Sequence, residues 1–526
     1  MLALYAETVV SAVRVRRRGR AWRVEAPNAP ALADLVISAI GASPITEVRV
    51  RVATWRAPAG WQGDPGIGGI TASSLRARGT GCELTLTVAD PIDPGTLLAA
   101  ALRMLRPVAS GITPLITVTP GLPATARPLA TSVRDVLVHA PEPDPHLRRC
   151  DTLIVPNADT FADVPRSRTV VISPNGWEVD GRPHEVWVDP LIHRPVGRRS
   201  GIDPLVGRGT VVDGSLRLDA PGVRLTVDGD LSSADVYRLR PVTGIEAVDL
   251  PPRWRAQLAA CGVIVGEQPA GPLDRDAASV RARRHALRAS TPAAALDAWP
   301  TVSVLLVTHR TGHLEHALGQ LARIRYPRLQ VVIGLHGVEV PDEHVDALRS
   351  HHEVHTVAID GQLSLGEALQ VATAHADGEL VTKVDDDDYY GSEHVWDLVL
   401  ARMYSGAELV GKALDWIYVE AEDVTAFRPV YPAESYSTFV AGGTLLISRA
   451  DLADAGGWRP VPKSVDRALI DAVKRDGGLV YRTHGLGYVY VRHGGSHTAL
   501  VDDAHFLTKT AERVDGLVAH EAFGTS

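Results

Sequence analysis

The C-terminal part of the chain alternates continuous apolar runs with segments of helical pattern, and this alternation limits the fold more than any other feature. The apolar runs Val302–Val307 and Leu329–Ile333 are typical of strands buried on both faces of a parallel sheet. Helical patterns follow at about Leu314–Ile324 and Leu365–Ala376, and a third strand is predicted at Glu379–Val384. This order predicts an α/β domain with an open, doubly wound sheet, which binds its ligand beyond the carboxyl ends of the strands.

Four consecutive aspartates, Asp385–Asp388, follow the third predicted strand directly. Adjacent carboxylates repel one another, so folding them together costs free energy unless a cation binds or the side chains extend into water. Alternate side chains of an extended segment share a face, so we expect Asp385 and Asp387 to converge. Such oxygen-rich sites suit Mg²⁺ or Mn²⁺, and either ion can also hold a diphosphate. The alternative is an acidic surface loop, into which a buried strand seldom runs.

The segments that flank these aspartates form a recognisable series. In chain order they are Pro300–Arg310, Tyr326–Ile333, Ala376–Asp388 and Phe439–Arg449. Their order and spacing resemble the glycosyltransferase family 2 group, which has the GT-A fold. The resemblance covers the C-terminal two-fifths of the chain. It implies an inverting, metal-dependent enzyme that moves a sugar from a nucleotide-diphosphate sugar to an acceptor hydroxyl, with Mn²⁺ or Mg²⁺ as its cofactor.

The resemblance also implies roles for single residues. Asp385 would contact the ribose or the metal, Asp387 would be a direct metal ligand, and Asp386 would belong to the donor-binding group. Thr308, at the end of the first strand, would lie near the nucleotide. Asp466 looks like the catalytic carboxylate of the family, a general base that takes the proton from the attacking acceptor hydroxyl.

Two glycines and a late histidine complete the implied site. Gly442 and Gly443 look like the glycine pair on the acceptor side, where a ligand can approach the backbone closely. His497 resembles a histidine that reaches the metal or the diphosphate in related enzymes, and His493 is the alternative. Ordinary roles stay open for all of these residues: a turn for the glycines, a surface position for the histidines and, for Asp466, an acid that favours a helix N-terminus.

The chain also departs from the family pattern. Many relatives end the second strand with an acid that touches the nucleotide base, but here the segment is Gly334–Gly337, and His336 is the residue left for that contact. The donor base therefore stays open. A non-catalytic binding or scaffold protein is the main alternative function. A nucleotidyltransferase is less favoured, because Thr308–Gly312 is a poor version of a glycine-rich phosphate loop.

The rest of the chain indicates domain boundaries but no functional motif. We predict an N-terminal α/β domain of unknown role at 1–145, a β-rich or mixed domain at 146–268, a linker with a connecting helix at 269–299, the GT-A domain at 300–515 and a tail at 516–526. Predicted strands before the linker are Glu47–Thr54, Cys82–Val88, Leu115–Val118, Thr152–Val155, Thr169–Ile172, Glu185–Val188, Thr210–Val212 and Val223–Val227, and a helix is predicted at Pro94–Leu105.

Composition excludes several classes of function. A hydrophobic fraction of 45% and a charged fraction of 22% are typical of soluble globular proteins, and a net charge of -8 gives no general affinity for nucleic acid. The cysteines Cys82, Cys150 and Cys261 are odd in number and far apart, which favours a reducing compartment over a disulfide framework.

No apolar stretch reaches the roughly 18 residues of a membrane span, so we expect a cytoplasmic protein that meets a membrane at its surface if at all. The expected partners are the nucleotide-sugar donor and a glycan or lipid-linked acceptor, and the oligomeric state is open. Six arginines between Arg14 and Arg23 form either a patch for an anionic lipid or polymer or a solvated strand face.

Overall fold

The structure is a computed structural model that describes residues 6–10, 13–39, 42–55, 70–105, 136–138, 150–155, 166–173, 176–198, 204–247, 249–297, 299–341, 343–461, 464–493 and 503–525. The chain divides into two compact units, one of residues 1–299 with 403–406 and one of residues 300–402 with 407–526. Within the described ranges, every helix is too short or too polar to cross a membrane.

The described residues of the first unit form three sheets. Its strands are β1 (Ala6–Val10), β2 (Val13–Arg18), β3 (Ala21–Ala26), β4 (Ile45–Val52), β5 (Ile70–Arg78), β6 (Gly81–Ile92), β7 (Val136–Val138), β8 (Cys150–Val155), β9 (Arg166–Ser173), β10 (Gly176–Val179), β11 (Arg182–His184), β12 (Val206–Val212), β13 (Ser215–Ala220), β14 (Val223–Val227), β15 (Gly244–Ala247) and β16 (Ile264–Val265). Its helices are α1 (Leu32–Ala39), α2 (Pro94–Leu105), α3 (Ser233–Leu239), α4 (Pro252–Ala260), α5 (Pro272–Ala289) and α6 (Pro292–Ala295). The strand orders are β1-β2-β3-β4-β6-β5, β11-β10-β9-β8-β7 and β14-β13-β12-β15-β16.

Alternating burial explains why these strands form half-buried sheets. In β14 the valines and Leu225 are buried while Arg224 and Thr226 are exposed, as a strand of period two requires. The buried side of this sheet forms one core with Trp254 and Leu258 of α4. The connecting helix expected from the sequence is α5.

Most predicted elements of the first unit are confirmed, two of them at the same bounds. The helix Pro94–Leu105 and the strand Val223–Val227 are observed as predicted. The predicted strand Glu185–Val188 is wrong, because the backbone N–H groups of Trp187 and Val188 both donate to the carbonyl of Ser290 instead of to a neighbouring strand. The predicted strand Leu115–Val118 lies outside the described residues.

A buried polar cluster lies after β11 and contains two groups with shifted pKa values. The backbone N–H of Asp189 donates to His193 Nδ1 at 3.0 Å, and His193 Nε2–H donates to the carbonyl of Leu231 at 3.0 Å. Burial lowers the pKa of His193 to about 4. Burial also raises the pKa of the Asp189 carboxyl to about 6. Both side chains are therefore more readily neutral in the folded protein than in the unfolded chain.

These two shifts predict opposite dependences of stability on pH. Because the folded pKa of Asp189 is raised from 3.8 to about 6, its contribution to stability is lost as the pH rises between these values. Because the pKa of His193 is lowered from 6.5 to about 4, its contribution is lost as the pH falls through that interval. We expect Asp189→Asn to leave only the histidine effect, so that its unfolding free energy rises more steeply than that of the wild type between pH 4 and 6.5. Urea titrations at a series of pH values measure the unfolding free energy of both proteins. Equal slopes of that free energy against pH contradict the prediction.

In the second unit, the described residues form two sheets. Its strands are β17 (Val302–Thr308), β18 (Leu329–His336), β19 (Glu353–Ile359), β20 (Leu380–Val384), β21 (Tyr389–Tyr390), β22 (Leu409–Lys412), β23 (Trp416–Val419), β24 (Val424–Phe427), β25 (Ser435–Tyr436), β26 (Leu446–Ser448), β27 (Val480–Thr483), β28 (Tyr488–Arg492) and β29 (Glu512–Asp515). Its helices are α7 (Leu314–Ala322), α8 (Glu343–Arg349), α9 (Leu365–Ala374), α10 (His394–Ser405), α11 (Arg449–Asp454), α12 (Val465–Arg475) and α13 (Asp503–Phe506), with 3-10 turns at Thr311–His313, Glu420–Glu422, Gly442–Thr444 and Glu521–Phe523. The strand orders are β19-β18-β17-β20-β26-β22-β27-β25 and β21-β28-β23-β24-β29.

The larger of these sheets confirms the predicted α/β fold with an open, mainly parallel sheet. Strands β19, β18, β17 and β20 are parallel neighbours, and β26 runs antiparallel beside β20. Leu305 of β17 and Val332 of β18 belong to one core with Leu369 of α9, a helix that begins at a capping box of Ser364 and Glu367. Since β17 and β20 are parallel and paired, the loops that follow them leave the same edge of the sheet.

The predicted C-terminal tail is instead part of the second unit. Phe523 is fully buried, with its ring centroid 5.2 Å from that of Trp416. The backbone N–H of Val518 donates to the Thr425 hydroxyl at 2.9 Å. This segment supplies apolar side chains that pack against the smaller sheet.

Candidate active site

The loops that follow β17 and β20 are joined by a bond between Thr308 and Asp386. Thr308 is buried at the end of β17, and its hydroxyl donates to the Asp386 carboxylate. Arg310 donates to the same carboxylate through Nε at 3.2 Å and through Nη2. The same Nη2 lies 2.8 Å from Asp387 Oδ2. One guanidinium therefore compensates two of the four adjacent carboxylates.

Lys383 compensates a third carboxylate from within β20. Its Nζ lies 2.6 Å from Asp385 Oδ1 and 3.4 Å from Asp466 Oδ1. Burial alone lowers the pKa of a lysine, but these two carboxylates outweigh it and raise the pKa of Lys383. The ammonium group is therefore charged and holds Asp385 and Asp466 on either side of it. Both acids still face solvent, with 38% and 30% of their side chains exposed.

Asp466 lies in the first turn of α12, two residues after Ser464, whose backbone has a left-handed φ of 60°. Burial raises the pKa of the Asp466 carboxyl, the charge of Lys383 opposes that shift, and the nearby Asp385 adds to it. This position also suits the ordinary role of an acid at a helix N-terminus. A helix N-terminal acid does not require a buried lysine partner, but Asp466 has one in Lys383, which also contacts Asp385 just after β20.

Asp388, the last of the four aspartates, is a structural residue. Its carboxylate is buried, and it accepts hydrogen bonds from the Tyr488 hydroxyl at 2.7 Å and from the backbone N–H of Val491 at 2.9 Å. Burial, followed by the charges of Asp385 and Asp387, raises the pKa of Asp388. Both donors belong to β28, so Asp388 ties the loop after β20 to the smaller sheet.

The glycine pair allows the acids to approach the backbone. A Cβ atom on Gly442 would lie 2.4 Å from Asp466 Oδ2. A Cβ atom on Gly443 would lie 2.8 Å from Asp385 Oδ2 and 2.9 Å from the Tyr390 hydroxyl. That hydroxyl accepts from the Asp385 backbone N–H at 2.8 Å and donates to the Gly443 carbonyl at 3.0 Å. Because these two residues lack a Cβ atom, the carboxylates of Asp385 and Asp466 can both lie against the Gly442–Gly443 backbone.

We expect Gly442→Ala to displace Asp466 and lower any turnover at this site by at least about tenfold, since small misplacements of catalytic groups have effects of this size or larger. Initial-rate measurements check the loss. The control is Gly319→Ala, because nothing lies within 4 Å of a Cβ at that position of α7. Gly319→Ala should keep full activity and a native-like melting temperature. Equal activity of the two variants contradicts the crowding seen at Gly442.

His493 is the histidine that the structure places beside the aspartates. Its Nε2 lies 3.8 Å from Asp387 Oδ2, and its Nδ1 lies 2.9 Å from Glu420 Oε2. His497, the histidine preferred from the sequence, lies outside the described residues. His336 donates through Nε2 to the carbonyl of Leu363 at 3.0 Å, so its ring is oriented by the chain itself.

Asp385 and Asp387, which the sequence predicts to converge, contact different cations, Lys383 and Arg310 respectively. In the described part of the chain, three metal-ligating atoms come within 4.8 Å of one another only in the exposed set Glu353, His355 and Asp377. Asp387 and His493 nevertheless fit one small cation. Mg²⁺ binds its ligands at about 2.0–2.1 Å, so two ligands of one ion lie up to about 4.2 Å apart. The remaining ligands would be water and phosphate oxygens.

Most of the site residues predicted from the sequence lie close together in the structure. The structure brings together the residues predicted from the sequence other than His497, namely Thr308, Asp385, Asp386, Asp387, Gly442, Gly443 and Asp466. Sequence reasoning missed Lys383 and Arg310. One signal was available, because Lys383 stands two residues before Asp385 in an extended segment and so shares its face.

Comparison with known proteins gives only partial structural likeness. No protein-family model and no curated protein matches the chain. Similar solved structures include S. aureus TarS 1–349 in complex with UDP-GlcNAc, at 17% identity and a TM-score of 0.32, over 39% of this chain and 63% of that one. They also include S. aureus TarS, at 15% identity and a TM-score of 0.30, over 39% of this chain and 41% of that one.

A third similar structure is the mannosyltransferase PcManGT from Pyrobaculum calidifontis in complex with GDP-Man and Mn²⁺. Its identity is 16% and its TM-score 0.28, over 38% of this chain and 59% of that one. The chain therefore spans less than two thirds of the length of each of these three structures. Likeness of this extent does not identify a function.

Proposed function

We propose that the second unit is an inverting glycosyltransferase that moves a sugar from a nucleotide-diphosphate sugar to an acceptor hydroxyl. The observation that carries this proposal is the shared contact of Lys383 with Asp385 and Asp466 at the carboxyl edge of a doubly wound sheet. Lys383 thus links Asp385 to Asp466. Asp385 belongs to the segment where the resemblance expects the donor to bind, and Asp466 is the acid expected to act as the base. Ligands of such sheets bind at this edge.

Asp466 is the general base of the proposed reaction. Its carboxylate is partly exposed, so an acceptor hydroxyl can reach it, and its raised pKa makes it a better proton acceptor than an ordinary aspartate. Lys383 fixes its position without closing it off. As the acceptor oxygen attacks the anomeric carbon, Asp466 takes the hydroxyl proton, and the bond from the sugar to the diphosphate breaks in the same displacement.

Arg310, Asp387 and His493 would hold the diphosphate end of the donor. Arg310 keeps 31% of its side chain exposed beside the acids, and a guanidinium can bind phosphate oxygens through two parallel bonds. Asp387 and His493 would hold Mn²⁺ or Mg²⁺. When bound, such an ion neutralises negative charge on the departing diphosphate. Resemblance to family 2 alone supports a glycan or lipid-linked acceptor and a role in cell-envelope polysaccharide or glycoconjugate synthesis.

One observation favours a second candidate, a binding or scaffold protein without turnover. Arg310 and Lys383 compensate Asp385, Asp386 and Asp387, so these carboxylates are stabilised by the chain itself and do not require a metal ion. A protein of this kind would still bind a nucleotide sugar. It would not consume it.

Thermal denaturation with UDP-, GDP- and dTDP-sugars, each with and without Mn²⁺, tests the proposed function. We expect one donor to raise the melting temperature of the wild type in the presence of Mn²⁺, since a ligand at 100 times its Kd stabilises the native state by about 2.7 kcal/mol. Asp387→Ala should lose this effect. Asp454→Ala, which removes an exposed carboxylate from α11, should keep it.

The outcomes separate the candidates. A donor that binds and is turned over supports the transferase. A donor that binds and remains intact after prolonged incubation with acceptors favours the scaffold protein. The absence of any shift with all donors contradicts both candidates.

A further inference from the structure

Three arginines form an unbroken row across the first sheet of the first unit. Arg16 of β2 pairs with Arg23 of β3, and Arg23 pairs with Arg49 of β4. Neighbouring strands lie about 4.8 Å apart, so the Cα atoms of this row span roughly 10 Å. The row continues to the position of Glu7 on β1 and to Thr85 on β6. We call Arg16, Arg23 and Arg49 the arginine row.

The arginine row lies on the open face of this sheet. The residues that alternate with it are buried, among them Val15, Val24 and Val50. Helix α2 packs against β4 and β6, the strands that carry this apolar face. Arg16 and Arg23 are exposed, and Arg49 keeps 40% of its side chain exposed. The guanidinium groups are therefore presented together on the side of the sheet that faces solvent.

The row is costly to the fold. Like charges directly opposite each other on neighbouring strands destabilise a sheet. Arg49 has Glu47 at 3.6 Å, whereas the register sets Arg16 and Arg23 directly opposite each other. Such a row is expected where an anion, rather than the fold, supplies the compensation.

The next row on the same face shows what a compensated arrangement looks like. There the register places Arg14, Glu25, Arg51, Glu83 and Arg76 side by side, so that the sign of the charge alternates across five strands. On the described strands of this face, like charges thus lie directly opposite each other only in the arginine row. A flat anionic membrane would also meet Glu25 and Glu83, whereas a linear chain can follow the arginine row alone.

We propose that the arginine row binds a linear polyanion whose repeats carry phosphate or carboxylate groups. Guanidinium forks bind both kinds of oxyanion through paired hydrogen bonds. The described strands present no aromatic side chain on this face, because Trp22 lies on the buried side. Single-stranded nucleic acid usually requires such stacking partners, so a polymer without bases fits better. The proposal does not depend on the function of the second unit.

Two triple variants of the full-length protein test the proposal. Arg16→Gln, Arg23→Gln and Arg49→Gln together remove the arginine row. Arg14→Gln, Arg51→Gln and Arg76→Gln together remove the same charge from the same face but from the compensated row. Fluorescence anisotropy with labelled inorganic polyphosphate and with labelled poly-L-glutamate measures the Kd of each variant, and the preferred probe identifies the oxyanion.

We expect the first triple variant to bind at least about tenfold more weakly than the wild type, since three charge-assisted contacts are lost together. The second should change the Kd by less than about threefold, since its arginines already face glutamates. Circular dichroism melting controls for folding, and relief of repulsion should leave the first variant at least as stable as the second. Equal weakening in both variants, no binding by the wild type, or preferential binding to phosphatidylglycerol vesicles overturns the proposal.

Discussion

Replacement of Asp466 by Asn is expected to lower donor turnover by a factor of about 10² to 10⁴, the usual contribution of a general base. The amide is almost isosteric with the carboxylate and keeps a carbonyl oxygen for Lys383, but it cannot accept the acceptor proton. Donor binding should change little, because the diphosphate is held by other residues. Transfer of the sugar to water, measured as free sugar released from the donor, gives the rate without knowledge of the acceptor.

The matched control is Asp471→Asn on the same helix. Asp471 lies on the exposed side of α12, 3.0 Å from Arg467, and is remote from Lys383 in sequence and contacts. This variant should turn over the donor at the wild-type rate. If both variants retain full activity, Asp466 only favours the start of its helix, and another group must be the base.

Replacement of Lys412 by Met is expected to cause the largest loss of stability. Lys412 is 0% exposed, and its Nζ lies 2.7 Å from Asp397 Oδ2 and 2.6 Å from the carbonyl of Leu486. The Asp397 side chain is 1% exposed. Without the ammonium group the carboxylate must either stay buried without its lysine partner or become protonated. Breaking a buried pair in this way costs about 3–5 kcal/mol. Urea denaturation measures the change in the free energy of unfolding.

Two further variants show whether the loss comes from the buried charge. Lys412→Met combined with Asp397→Leu should recover most of the stability, because replacing both partners of a buried pair by apolar groups is often nearly neutral. Arg467→Met removes one partner of the exposed pair with Asp471 and should cost only about 0–1 kcal/mol. A loss for Lys412→Met no larger than that of Arg467→Met contradicts the account of a buried ion pair.

The position of the site could be predicted from the sequence because its main elements are local. Strands β17 and β20 are apolar at successive positions, and the aspartates follow β20 directly, so hydrophobic pattern and chain order locate the edge of the sheet that carries them. Asp466 followed from a resemblance in spacing. The absence of an acid in Gly334–Gly337 was equally visible, and it still leaves the donor base open.

The partners of these acids could not be predicted, because they depend on how distant segments pair. Arg310 reaches Asp386 and Asp387 only because β17 lies beside β20 in a particular register. Lys383 reads as an ordinary strand residue until α12 places Asp466 beside it. A metal ion was predicted from the repulsion among the four carboxylates. That prediction was incomplete, because the fold also places two cations, Arg310 and Lys383, beside them.

The glycine pair shows the same limit. A sequence with two adjacent glycines predicts a close approach to the backbone, and the resemblance suggested an acceptor as the approaching group. In the structure the approaching groups are Asp385 and Asp466 themselves. Only the three-dimensional arrangement of β20, α12 and the turn Gly442–Thr444 reveals this.

The central claim is that a divalent cation joins a nucleotide diphosphate to Asp387, and Mn²⁺ electron paramagnetic resonance tests it most directly. Mn²⁺ is titrated into the wild-type protein in the presence of UDP, GDP or dTDP. With one of these nucleotides the protein should bind one ion per molecule, so that the signal of the free ion falls below the level given by the nucleotide alone. Asp387→Ala should leave the signal at the level of nucleotide alone. A wild type that takes up no Mn²⁺ with any nucleotide, or an Asp387→Ala variant that takes up as much as the wild type, contradicts the claim.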